Sequence, residues 1–137
     1  MRKFFISSHG HLASGMKTSL EILLGNADNV TVFDAYVTQD SVESQVEKWL
    51  SEVSPDDQAI MLSDLYGGSV NQVLYRYLDR PNTMLVAGIN LALVLELVAA
   101  SDQPITSAEL DEVVSASSQT MQQCHLDSTE VKEEEFF

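Results

Sequence analysis

The sequence is short of cysteine, of positive charge and of long apolar runs, and each shortage excludes something. Its one cysteine, Cys124, has no partner for an internal disulfide. A disulfide scaffold is excluded, and a reducing cytoplasm is the expected compartment. Seven Lys and Arg stand against 21 Asp and Glu, a formal net charge of −14. Nucleic acids are held through their phosphates by Lys and Arg, and no basic patch offsets this balance, so a nucleic-acid partner is not expected. An acidic surface does suit a basic protein partner, because opposite fields speed encounter. No run approaches the roughly 18 consecutive apolar residues of a membrane span. The first residues hold two basic side chains and a short apolar run, but histidines and polar residues follow at once, as in a first strand rather than a signal peptide.

What is present is the material for one domain. At 137 residues and 45% hydrophobic content, the chain can bury a sizeable core. "KFFIS" (3–7) reads as a buried strand. "ASGMKTSLEILLG" places Met16, Leu20, Leu23 and Leu24 at helical spacing, with Gly25 as a stop. "NVTVFDAYV" (29–37) is β-branched and aromatic, a second strand. "DSVESQVEKWLSEV" (40–53) puts Val42, Val46, Trp49, Leu50 and Val53 on one helical face, with Asp40 in the capping position and Glu43 behind it. A third strand runs from Gln58 to Asp64, and a helix over 69–78 follows with Ser69 as its cap. A fourth strand spans 82–88, an apolar helix 90–100, and Thr106–Glu109 opens a last helix with the capping-box pattern. Short apolar strands alternating with helices predict an α/β domain: an open, doubly wound, mostly parallel four-stranded sheet with helices on both faces. The domain is expected over 1–126, with an acidic tail over 127–137, and neither a linker nor a repeat is visible.

In such sheets ligands sit beyond the C-terminal strand ends, at a switch point. Strand one ends in Ser8-His9-Gly10-His11, strand three in Ser63-Asp64 before Tyr66-Gly67-Gly68-Ser69, and strand four in Gly88-Ile89-Asn90. If strands one and three are neighbours, His9 and Asp64 meet at one rim. A carboxylate bonded to one imidazole nitrogen fixes the tautomer and leaves the other nitrogen a free lone pair, able to attack phosphorus, bind a metal or take a proton. Gly67, Gly68 and Ser69 would add backbone N–H groups, a helix start and a hydroxyl, an anion cradle without Lys or Arg. The nucleotide-binding G-x-x-x-x-G-K-[ST] signature is absent. Three readings follow from these residues: a phosphoryl acceptor, a phosphate-sensing module, and a metal-dependent hydrolase using His9, His11 and Asp64 as a three-ligand site. Gly10 is expected to turn the chain between the two rings, which weighs against the metal and leaves His11 a rim residue.

"SSHGHLASGMKTSLEILLG", "MLSDLYGGSVNQ" and "VAGINLALVLE" together resemble the IIA component of the mannose/fructose/sorbose family of the sugar phosphotransferase system, over roughly residues 1–126. The resemblance implies a cytoplasmic phosphocarrier without a cofactor. His9 would take a phosphoryl group from phosphorylated HPr and pass it to a IIB component, which serves the membrane IIC/IID subunits. Asp64 would orient His9, Ser69 would cradle the phosphate, and backbone amides near Gly68 and Ser69 would assist. It also implies a homodimer in which a C-terminal strand, here matched by 120–126, is exchanged. Two departures stand out: Val70 replaces the proline after Gly-Gly-Ser, and no fused IIB domain follows, so a stand-alone IIA protein is expected.

Overall fold

A computed structural model describes residues 1–126; the acidic tail at 127–137, with Phe136 and Phe137, lies outside the described residues. The elements run β1 (Arg2–His9), α1 (Leu12–Leu24), β2 (Val30–Ala35), α2 (Val42–Glu52), β3 (Gln58–Ser63), α3 (Ser69–Tyr75), β4 (Thr83–Ala87), α4 (Leu91–Ala99) and α5 (Ser107–Ser118). The four strands form one sheet in the order β2-β1-β3-β4. Every pairing is parallel, with Ile6 opposite both Val32 and Leu62, and Leu62 opposite Val86.

Successive strand side chains point to opposite faces, so the unbroken apolar runs of β1 and β3 supply two cores. Phe4, Ile6, Ile60 and Leu62 pack with Leu20 of α1, Leu93 and Leu97 of α4 and Leu110 of α5. Phe5, Ala59 and Met61 face the other way, onto Val46 and Trp49 of α2 and Val70 and Leu74 of α3. Both faces are covered, as a parallel sheet requires. At the N-terminal edge the buried Arg2 reaches the carbonyls of Leu97 (2.8 Å) and Gln103 (2.7 Å). Its charge lies at the negative end of α4, where a cation is favoured.

Four local expectations differ from the structure. Ser41, not Asp40, caps α2: it keeps extended backbone (φ −96°, ψ 152°) and accepts from the Ser44 N–H. Gly68, not Ser69, occupies the cap of α3 (φ −70°, ψ 170°), so Ser69 is the first helical residue and its hydroxyl is free of capping duty. In α1 the apolar spacing extends beyond the buried stripe; Ala13 and Leu20 are buried, whereas Ile22 and Leu23 are exposed. Residues 120–126 carry no strand. A strand needs a neighbour to pair with, and in the single chain these residues pair with none, while β4 forms an edge of the sheet. The capping box at Thr106–Glu109 is present in full.

Trp49 is buried, its ring 5.4 Å from that of Phe5. Trp49→Ala is therefore expected to cost about 3–5 kcal/mol in urea unfolding, and Thr106→Ala about 1 kcal/mol through loss of the cap.

Candidate functional site

The chain leaves β1 for β2 on one side and later adds β3 on the other, which makes the gap between β1 and β3 the switch point of the sheet. The last paired residues there are Ser7 and Ser63. His9 and Asp64 lie just beyond them on the C-terminal rim. Gly10 then adopts φ +62°, a left-handed turn that glycine enters without steric cost. Ser8 holds this turn: its hydroxyl donates to the Gly10 carbonyl (3.2 Å) and accepts from the Ala13 N–H (2.7 Å).

Asp64 Oδ2 receives two hydrogen bonds from His9, one from the backbone N–H and one from ring Nδ1, each 2.9 Å. Burial alone would push the Asp64 carboxyl up; the His9 backbone and ring donors and the histidine charge outweigh it and hold the carboxyl below its ordinary value. An ionised carboxylate can only accept. Nδ1 therefore carries a hydrogen, and in the neutral ring Nε2 is left with the lone pair. Asp64 Oδ1 is buried without a partner among the described residues. Asp64 also lines a cavity of about 60 Å³ together with Ile6, Ser8, Leu12, Ala13, Met16 and Ile89, room for a water-sized group.

On the open side, Ser69 Oγ lies 3.4 Å from His9 Nε2. The turn before it is fixed internally. Gly67 takes φ +74°, and its N–H donates to Asn71 Oδ1 (3.0 Å). The Gly68 N–H donates to the Leu65 carbonyl (3.1 Å). The Gly67 and Gly68 amides, expected in the cradle, are thus engaged in holding the turn, and the Ser69 hydroxyl is the group beside Nε2. Gly68 has a further reason to be glycine: a Cβ there would stand 3.1 Å from Leu65 Cβ and 3.8 Å from His9 Cε1. None of these groups is Lys or Arg.

Tyr36, which sequence reasoning passed over, completes the rim. Its hydroxyl lies 2.6 Å from Ser69 Oγ, and its ring centroid 5.3 Å from that of His9. Only its place just after a strand end could have flagged it. His11 is directed elsewhere. Its Nδ1 lies 2.9 Å from Asp34 Oδ2, and the same carboxylate accepts from the Ser14 N–H and hydroxyl. The two histidines therefore serve different carboxylates. Among the described residues, no three His, Cys, Asp or Glu side chains are grouped to hold a metal ion.

The lowered Asp64 carboxyl has a consequence for stability. A depressed folded-state value stabilises the fold above the ordinary carboxyl value of 3.8 and is lost as pH falls through the lower folded value. Urea unfolding from pH 6 to pH 3 is expected to show a wild-type advantage over Asp64→Asn that shrinks below about pH 4.

Comparison with known proteins agrees with this architecture. The profile of the family described as "PTS system fructose IIA component" matches residues 3–114. The mannose-specific EIIAB component of Escherichia coli strain K12 is 29% identical over 120 residues, covering 84% of this chain and 36% of that protein. The chain thus spans about a third of that relative's length. The fructose-specific EIIA component of Bacillus subtilis is 22% identical over 128 residues, covering 90% of this chain and 87% of that protein. A Klebsiella pneumoniae structure described as a phosphoenolpyruvate-dependent sugar phosphotransferase system permease superposes with a TM-score of 0.81 at 30% identity, covering 90% of each chain. The chain belongs to the fructose/mannose-type IIA family of the sugar phosphotransferase system.

Proposed function

We propose that this chain is a phosphocarrier, accepting a phosphoryl group on His9 Nε2 and handing it to a second protein. One observation carries the reading: the His9 imidazole is pinned by Asp64 at 2.9 Å, with its lone-pair nitrogen turned toward the Ser69 hydroxyl. The donor is a phosphohistidine of HPr, and the acceptor is a histidine of a IIB component that serves the membrane IIC/IID subunits. In the first step the Nε2 lone pair forms a new N–P bond in line with the breaking N–P bond of the donor, whose electron pair stays on the donor imidazole. His9 keeps its Nδ1 hydrogen, so its ring becomes cationic, and the Asp64 carboxylate stabilises that charge. Positioning and electrostatics do most of the work in such a displacement.

The neutral character of the cradle fits a carrier. Ser69 can donate to a phosphoryl oxygen, yet no Lys or Arg holds the group so tightly that it cannot leave. The net charge of −14 favours encounter with basic partner surfaces. The proposed carrier is cytoplasmic and acts as a homodimer; among the described residues no helix is long and apolar enough to cross a membrane. The hydrolase reading would need His11 beside Asp64, whereas His11 engages Asp34. A phosphate-sensing module would use the same groups without covalent transfer.

Incubation with phosphorylated HPr is expected to leave an acid-labile, base-stable phosphate on the wild type and on His11→Ala, and none on His9→Ala. An active donor that leaves the wild type unlabelled would sink the reading. Asp64→Asn is expected to slow transfer roughly 10–100-fold, the worth of a charge-assisted hydrogen bond, with an unchanged circular dichroism spectrum. Undiminished transfer in that variant would remove the orienting role of Asp64.

A further inference from the structure

We infer that Tyr36 is a positioning residue for the phosphoryl group, acting through Ser69. Three observations converge on it. Tyr36 holds φ +67°, a left-handed conformation uncommon for an aromatic residue. Such backbone persists only where the surroundings enforce it, and it clusters at functional sites. Here the preceding Ala35 carbonyl accepts from the Gly10 N–H at 2.9 Å, which ties the end of β2 to the His9 turn. The side chain is 67% exposed, so core packing does not account for its placement. It nonetheless lies beside the imidazole, with ring centroids 5.3 Å apart and planes at 33°, and its hydroxyl lies 2.6 Å from Ser69 Oγ.

The direction of the hydrogen bonds follows from the far end of the chain. In the neutral ring, the form that can act as a nucleophile, Asp64 accepts from Nδ1–H and Nε2 has no hydrogen to give. The contact between Nε2 and Ser69 Oγ, 3.4 Å long, therefore has Ser69 as its donor. A hydroxyl has one hydrogen, so the short contact between Ser69 and Tyr36 has Tyr36 as its donor. The order is Tyr36 O–H to Ser69 O–H to Nε2, with Nδ1–H to Asp64 on the other side of the ring. Tyr36 thus keeps the Ser69 hydrogen aimed at Nε2. The bond that occupies the nucleophilic lone pair is long and weak. When a phosphoryl group arrives, Ser69 needs only to turn its hydrogen onto a phosphoryl oxygen while still receiving one from Tyr36. No bond beyond the N–P exchange forms or breaks.

This rests on His9 as the acceptor, and the test separates the two ideas. In transfer from phosphorylated HPr, Tyr36→Phe keeps the ring and is expected to slow labelling of His9 about three- to tenfold, the worth of one neutral hydrogen bond. Ser69→Ala is expected to slow it at least as much. The double variant should match Ser69→Ala alone within about twofold, because Tyr36 acts only through that hydroxyl. Full-speed transfer in Tyr36→Phe, or losses that multiply in the double variant, would overturn the inference. The unphosphorylated protein supplies a readout independent of transfer, the nitrogen NMR resonances of the neutral His9 ring. Nδ1 should be protonated and Nε2 bare, and both single variants should shift Nε2 the same way while leaving Nδ1 in place. A proton on Nε2, or an Nε2 resonance indifferent to Tyr36→Phe, would overturn it even if His9 takes no phosphate.

Discussion

The parallel pairing of β1 with β3 is the constraint on which the site depends. Their register ends with Ser7 opposite Ser63. It sets the two residues that matter just past the last rungs, one turning away through Gly10 and the other through the Gly67-Gly68 turn. A one-residue slip would send every strand side chain to the wrong face. Phe4, Ile6, Ile60 and Leu62 on one side, and Phe5, Ala59 and Met61 on the other, guard against that slip with two full apolar cores. The His9–Asp64 geometry is therefore held by hydrophobic burial in the middle of the sheet rather than by the strength of the pair itself.

A single carboxylate oxygen organises the candidate site. Asp64 Oδ2 takes both the backbone and the ring N–H of His9, which settles the tautomer and aims Nε2 outward. Opposite it stand hydroxyls from two different segments, Ser69 at the start of α3 and Tyr36 after β2. The arrangement has a fixed anionic side and an adaptable neutral side. In the proposed carrier role, the first suits a ring that gains positive charge, and the second suits a group that arrives and departs.

Most of the fold was legible because its signals are local and periodic. Apolar runs of five to six residues, helical stripes such as Val42-Val46-Trp49 and the Thr106–Glu109 box depend on neighbours in sequence. The details that differed turn on one dihedral or one contact. Asp40 and Ser41 are both good caps, and the choice between them rests on which residue keeps extended backbone. Leu23 has helical spacing, but spacing does not say whether anything faces it. At the site, His9, Asp64 and Ser69 stood out because their types and their strand-end positions together suggest chemistry. Tyr36 did not, because an aromatic residue at the end of a β-branched run reads as strand.

The sequence by itself determined the succession of strands and helices, the α/β class, and a short set of polar residues at strand ends. Those properties follow from side-chain chemistry over a few neighbouring residues. Only the tertiary structure decided which histidine meets which carboxylate. His9 and His11 are two residues apart, yet one pairs across to β3 and the other to β2, because the left-handed turn at Gly10 separates their rings. It also decided that Gly67 and Gly68 spend their N–H groups on the turn, and that a tyrosine 33 residues away reaches Ser69. Contacts between distant segments depend on strand order and register, which the packing of the whole chain selects and no local pattern encodes.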